Sequence, residues 1–167
     1  MKKLLKAALV LMALALMSVA CSKAKTIGIV GTYYGGNLKM DVSSYGTASI
    51  SAKDASIAEE NLTSEEIAIS GFGSAYLLMP WDLTAEKTTL SYTSKQQINV
   101  NQSSATPQYV DVEVKFDFTK EKENYKCTVS TSLPEKVKTL LNTQLTAMNK
   151  AAVGNDIKVE LTKPISK

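Results

Sequence analysis

Residues 109–118 read YVDVEVKFDF, and this segment has the clearest periodicity in the chain. From Val110 to Phe118 every second side chain is apolar, and the side chains between them are charged. Successive side chains of a β-strand point to opposite faces of the sheet, so the pattern predicts a strand with one face in a core and the other in water. The charged residues 120–124 then turn the chain, and residues 125–131 alternate again, which predicts an antiparallel partner strand.

Short apolar or alternating runs of the same kind surround this segment. They predict further strands at residues 27–34, 38–42, 47–52, 66–71, 88–92, 96–101 and 157–161. Gly35-Gly36-Asn37 separates the first two runs, and glycines permit the backbone angles of a tight hairpin. The fold class is therefore mainly β: an antiparallel meander that forms a barrel or a sandwich.

One amphipathic helix is predicted before the last strand. Its apolar stripe consists of Val137, Leu140, Leu141, Leu145, Met148 and Ala152. Ser132 and Glu135 have the spacing of a capping box, Pro134 suits the first turn, and Gly154-Asn155 can end the helix. The stripe must pack against the sheet or across the end of the barrel.

The N-terminus has the composition of a secretory signal peptide. Lys2, Lys3 and Lys6 precede an uninterrupted apolar run from residue 7 to residue 17, and small residues follow. The run is shorter than the roughly 20 residues that cross a bilayer as a helix. We expect a signal peptide at 1–20, a tether at 21–25 that begins with a modified cysteine, and a single β-rich domain at 26–167.

Ser18-Val19-Ala20-Cys21 resembles the lipobox of bacterial lipoproteins, although the usual leucine is Ser18 here. The resemblance implies that Cys21 carries acyl chains, among them palmitate, and becomes the new N-terminus. Ser22 resembles the residue that permits transport to the outer membrane, so a lipid anchor in the bacterial envelope is expected there. Cleavage by an ordinary signal peptidase, which also prefers small residues, is the alternative.

Missing residue types exclude several functions. The 19 basic residues include the three lysines of the signal, so the mature chain has 16 basic and 16 acidic residues. It contains no arginine and no histidine, which argues against nucleic-acid partners and against Ser-His, Cys-His and most zinc sites. We therefore expect that the protein is not an enzyme and that it has no cofactor and no metal site. We interpret Glu59, Glu60, Glu65 and Glu66 as a solvated acidic turn rather than a calcium loop. Cys127 is predicted to be a buried, inert thiol.

The segment GTYYGGNLKM at residues 31–40 resembles the start of small calycin-like lipoproteins of Bacteroidetes, whose function is mostly unknown. It also resembles the Gly-x-Trp motif that opens the lipocalin barrel, with Tyr33 at the aromatic position. The resemblance implies a cup for a small apolar ligand. Lipocalins stack an arginine from a late strand on that tryptophan, and without arginine this chain cannot form that contact.

Two functions remain in contention. The first is binding of a small apolar or amphipathic ligand, in a cup lined by Tyr33, Tyr76, Trp81, Val112, Val114 and Phe116. Tyr76 and Trp81 belong to the most hydrophobic stretch of the mature chain, YLLMPWDL, for which a buried strand ending in a turn is the favoured interpretation and a pocket mouth or an exposed partner anchor the alternative. The second function is a structural or interaction lipoprotein of the envelope with a filled core, whose protein partner the sequence does not identify. The two functions predict different interiors: a binding cup leaves an internal cavity, and a filled core is closely packed.

Overall fold

The computed structural model describes residues 28–44, 46–72, 74–75, 89–102 and 105–165. The predicted signal peptide at 1–20, Cys21 with the tether to residue 25, Tyr76 and Trp81 lie outside these residues. Within them the chain is mainly β, as predicted, with eight strands, two α-helices and one short 3-10 helix. Neither helix of this part of the chain is long and apolar enough to cross a membrane.

The elements follow one another in a simple order along the chain. They are β1 (Gly31–Gly35), β2 (Leu38–Val42), β3 (Ala48–Ala52), the 3-10 helix (Glu59–Asn61), α1 (Ser64–Ser70), β4 (Ser74–Ala75), β5 (Thr89–Asn99), β6 (Tyr109–Glu121), β7 (Asn124–Ser132), α2 (Glu135–Ala147) and β8 (Asp156–Pro164).

All eight strands belong to one antiparallel sheet with the order β4-β3-β2-β1-β8-β7-β6-β5. The sheet thus consists of two meanders, β1 to β4 and β5 to β8, joined through the β1–β8 pair. The edge strands β4 and β5 approach until their Cα atoms are within 8 Å, so the sheet curls into a half-barrel. An antiparallel, barrel-like sheet is confirmed, and its order is that of a meander: consecutive strands are neighbours except β4 and β5, and the first strand pairs with the last.

The alternation that predicted β6 is confirmed by its burial. Its core side chains are at most 1% exposed: Val112, Val114, Phe116 and Phe118. The Phe118 ring meets the Tyr33 ring edge to face, with centroids 5.8 Å apart. On the outer face Lys115 pairs with Asp117 at 3.0 Å, in water. One strand therefore separates the core from solvent, as its sequence period requires.

The strand predicted at 66–71 is wrong, because these residues belong to α1. Thr63 Oγ1 accepts a hydrogen bond from the Glu66 backbone N–H at 3.2 Å, and the Glu66 carboxylate accepts one from the Thr63 backbone N–H at 2.7 Å. This reciprocal capping box starts a helix and leaves Ala68 and Ile69 facing the core. So short an apolar run fits a helix as well as a strand, and the cap decides between them.

The two strands predicted at 88–92 and 96–101 are one strand, β5. Its register with β6 runs without a break from the pair Thr89 and Thr119 to the pair Asn99 and Tyr109. The polar residues between the two predicted strands are therefore paired as well, because β6 provides a partner over the whole length. The two-residue strand β4 was not predicted, since so short a run has no period.

The amphipathic helix is confirmed as α2, but its ends are not the predicted ones. Pro134 is the N-cap and provides no side-chain cap, whereas Ser132 ends β7 opposite Asp156, so the predicted capping box is wrong. The helix ends at Ala147, and Asn149 takes the left-handed conformation with φ of 56°. Asparagine tolerates this conformation, so the turn comes before the predicted Gly154.

Candidate functional site

The sheet has two different ends, which we call the helix end and the base. At the helix end lie the β1–β2 turn around Asn37 and the Ser132–Asp156 pair, whose strands α2 connects. At the base lie Gly28, where the described chain begins, and Lys163 near the end of β8. The helices and the start of the domain are therefore at opposite ends of the strands.

An apolar groove of about 370 Å³ lies at the helix end, between α1, α2 and the end of β5. The apolar side chains that line it are Ile67, Ala68, Phe72, Ile98, Val137, Leu140, Leu141, Leu145 and Met148. Pockets for small ligands measure roughly 300 to 1,000 Å³ and are lined mainly by such side chains. The groove therefore has the size and the lining of a small-ligand site.

Helix α2 forms one wall of this groove because its apolar stripe is wider than the core requires. Val137 and Leu145 are buried in the core. Leu140, Leu141 and Met148 stand beside them and remain half-buried along the groove. The stripe predicted from the sequence thus has two roles: its centre packs on the sheet and its flank borders open space.

Polar contacts fix the position of α2. The Lys150 ammonium group donates to the backbone carbonyls of Glu60 and Leu62, which ties the end of α2 to the segment before α1. The Asn142 side chain pairs with the Val153 backbone, with 2.9 Å from Val153 N to Asn142 Oδ1 and 3.0 Å from Asn142 Nδ2 to Val153 O. The groove walls are therefore held by more than apolar packing.

Glu66 holds α1 against the β1–β2 turn. One carboxylate oxygen, Oε1, accepts a hydrogen bond from the Asn37 backbone N–H at 2.7 Å, and the other accepts the Thr63 bond described above. Burial alone raises the pKa of the Glu66 carboxyl, but hydrogen bonds from Asn37 and Thr63 outweigh it and hold the pKa below its usual value.

The predicted acidic turn is corrected at one position, because Glu66 is only 7% exposed. Glu59, Glu60 and Glu65 are exposed, as expected for a solvated turn. In the part of the chain that the structure describes, no three carboxylate, thiol or imidazole groups are arranged to hold a metal ion.

Three polar side chains at the groove keep free hydrogen-bonding capacity. Glu59, Gln102 and Gln144 line it, and their side chains form no hydrogen bond or ion pair with another described residue. Among the described residues that line the groove there is no lysine. The groove thus combines an apolar wall with one carboxylate and two amides.

The base is closed by a lysine rather than by an arginine. The Lys163 ammonium group lies 5.0 Å from the centroid of the Tyr125 ring and 5.9 Å from that of Tyr33. It donates hydrogen bonds to the carbonyl oxygens of Gly28 and Val30. A cation from the last strand thus lies near Tyr33 of β1. Burial lowers the pKa of Lys163.

Four of the predicted lining residues do not border the groove, and the other two, Tyr76 and Trp81, lie outside the described residues. Tyr33, Val112, Val114 and Phe116 lie together in the core and are at most 1% exposed. The Tyr33 hydroxyl donates to the Ile29 carbonyl at 2.8 Å, and burial raises the pKa of this phenol. A ligand that touched these four side chains would have to displace core neighbours.

Sequence reasoning missed the groove because it depends on α1, which was assigned to a strand. Ile67 and Phe72 belong to that helix and the turn after it. Leu140 and Leu141 were recognised as part of the helical stripe, and the stripe is the only signal that pointed to this surface. The width of a stripe does not show which of its residues stay half-buried.

Cys127 is confirmed as a buried free thiol on the core face of β7. Burial raises the pKa of its thiol, so at neutral pH it stays protonated and unreactive. It therefore belongs to the core and not to a site.

Comparison with known proteins adds no further assignment to this geometry. No protein-family model, no curated protein and no solved structure matches this chain.

Proposed function

We propose that this chain is an exported lipoprotein that binds a small apolar or amphipathic ligand in the groove at the helix end. In this proposal acyl chains on Cys21 anchor it in a bacterial envelope, at the outer membrane. The observation that carries the proposal is the groove of about 370 Å³ between α1 and α2, along which Leu140, Leu141 and Met148 are only half-buried. Covering such surface is favourable in proportion to its apolar area.

The position of the groove suits an anchored protein. The predicted anchor precedes Gly28, at the base, whereas the groove lies at the other end of strands β7 and β8, each of nine residues. At about 3.3 Å per residue, nine residues separate the two ends by roughly 30 Å. An anchor at the base therefore leaves the groove free for a ligand.

We infer a calycin-like, half-open barrel whose ligand lies at its end instead of in its interior. The curled antiparallel sheet and the Lys163 contact with Tyr33 support this assignment. The four described side chains that were predicted to line an internal cup are fully buried. Their burial favours a ligand site at the end of the barrel over one in its interior.

A structural or interaction lipoprotein of the envelope is the second candidate. The specific observation in its favour is the dense core, in which large side chains such as Tyr33, Phe116 and Phe118 are at most 1% exposed. In that case the groove is a surface feature, and the chain acts through protein contacts.

Native mass spectrometry separates the two candidates. The Cys21→Ser chain, which has no acyl acceptor, is purified from the periplasm of a bacterial host and weighed under native and denaturing conditions. Leu141→Trp places an indole in the groove, and Thr143→Trp is the matched control, because it adds the same side chain on the exposed face of α2.

The binding proposal predicts an extra mass that leaves on unfolding, in the parent chain and in Thr143→Trp, and that is reduced in Leu141→Trp. An apo mass in all three, with no thermal stabilisation by a panel of lipids and hydrophobic metabolites, would favour the structural candidate. An extra mass that Leu141→Trp leaves unchanged would place the ligand outside the groove.

A further inference from the structure

We propose that the groove selects its ligand by charge and favours an amphipath with a cationic or neutral hydrogen-bonding head over one with an anionic head. This inference rests on the proposed function, because it names the ligand class of the same groove. Its basis is the set of polar groups that border the apolar wall.

The only charged side chain among the described residues of the lining is Glu59. It lies at the start of the 3-10 helix, it is exposed, and among the described residues its carboxylate has no ion-pair or hydrogen-bond partner. A cationic head can therefore pair with this carboxylate without displacing a contact from the described part of the chain. An anionic head would meet a like charge, which is unfavourable at close range.

Lys150, two residues after Met148 of the groove lining, does not compensate for that charge. Lys150 directs its ammonium group to the carbonyls of Glu60 and Leu62 and does not line the groove. An anionic head that recruited Lys150 would break the contacts that hold α2 to the segment before α1. The described lining of the groove therefore offers an anion no counter-charge at low cost.

Neutral heads are accommodated by the two amides. Gln102 and Gln144 can each donate and accept hydrogen bonds, and neither side chain has a partner in the part of the chain that the structure describes. A hydroxyl or an amide head thus finds donors and acceptors at the rim while its chain lies on Leu140 and Leu141. The preferred order is cation, then neutral head, then anion.

Three probes of equal chain length test this order: decylamine, decanol and decanoate, each titrated below its aggregation concentration at pH 7 into the Cys21→Ser chain. Affinity is measured by titration calorimetry and checked by native mass spectrometry. Decylamine is expected to bind about fivefold more tightly than decanoate, the scale of one exposed charge pair.

Glu59→Gln tests the source of the selectivity, and Glu65→Gln is its matched control, because it removes one exposed carboxylate outside the groove. The ratio of decylamine to decanoate affinity should fall to within about twofold in Glu59→Gln and stay at the parent value in Glu65→Gln. A ratio that persists in Glu59→Gln, or falls equally in both variants, would overturn the role of Glu59.

The outcomes distinguish this inference from the function on which it rests. If decanoate binds as tightly as decylamine or more tightly, charge selection is wrong and the groove remains a ligand site. If none of the three probes binds and Leu141→Trp changes nothing, the proposed function itself fails.

Discussion

Lys163 Nζ lies 5.0 Å from the centroid of the Tyr125 ring and, from the last strand, donates hydrogen bonds to the carbonyls of Gly28 and Val30. A side chain at Gly28 would overlap the Tyr125 ring, so a larger residue there would require the ring to shift. One lysine thus joins the first described residues of the domain to its last strand, 135 positions further along the chain.

Lys163→Met tests this contact, because it keeps a flexible apolar side chain and removes the ammonium group. We expect the free energy of unfolding to fall by about 2 kcal/mol, since two carbonyl groups lose their donor and the cation–π contact is lost. Urea denaturation measures the change. Lys158→Met is the control on the same strand, where an exposed ion pair with Glu160 is worth at most about 1 kcal/mol. Similar losses in both variants would contradict a specific role for Lys163.

Glu66→Gln should make the free energy of unfolding less dependent on pH in the acidic range. The folded pKa of Glu66 is lowered, so its stabilisation is complete above the unfolded pKa, which is about 4.3, and is lost as the pH falls through the folded value. At pH 7 the substitution should cost about 1 to 3 kcal/mol, because a charged acceptor of two backbone N–H groups is replaced.

Urea denaturation at pH 7 and pH 3 measures this effect. The difference between the parent and Glu66→Gln should shrink at pH 3, whereas Glu65→Gln, which changes an exposed neighbour, should resemble the parent at pH 7. A constant difference at both pH values would show that the Glu66 carboxylate does not stabilise the fold through its charge.

Phe116→Ala distinguishes a core side chain from a ligand-lining one. Phe116 is 0% exposed, so we expect a loss of about 3 to 5 kcal/mol in the free energy of unfolding. Leu141→Ala, at the half-buried groove wall, should cost about 1 kcal/mol, because less apolar surface is exposed. A loss below about 1 kcal/mol for Phe116→Ala would indicate that this residue borders open space.

Cys21→Ser tests the predicted anchor. The parent chain should fractionate with membranes, and its N-terminal peptide should carry the added mass of acyl chains. The variant should lack that mass and appear in the soluble periplasmic fraction, because the acyl chains supply the membrane affinity. An unmodified Cys21 in a soluble parent chain would instead indicate cleavage by an ordinary signal peptidase.

Strands whose alternation of apolar and polar side chains extends over many residues could be predicted from the sequence. The secondary structure of short apolar runs could not. Residues 109–118 alternate over five repeats, and the structure places them in β6 with almost the predicted bounds. Residues 66–71 contain too few repeats, and the capping box of Thr63 and Glu66 makes them helical. The length of the pattern decides whether a prediction is reliable, because a hydrophobic period can be recognised only over several residues.

The sequence by itself determined the β-rich class, the antiparallel pairing of β6 and β7, and the amphipathic helix α2, because each is written as a local alternation of side chains. Only the tertiary structure decided that β8 lies between β1 and β7, that Lys163 reaches Gly28 and that the flank of the α2 stripe borders a groove with Ile67 and Ile98. These features join residues that are far apart in the chain. The free energies of these contacts depend on which surfaces meet in the folded chain, and a local sequence pattern does not determine that.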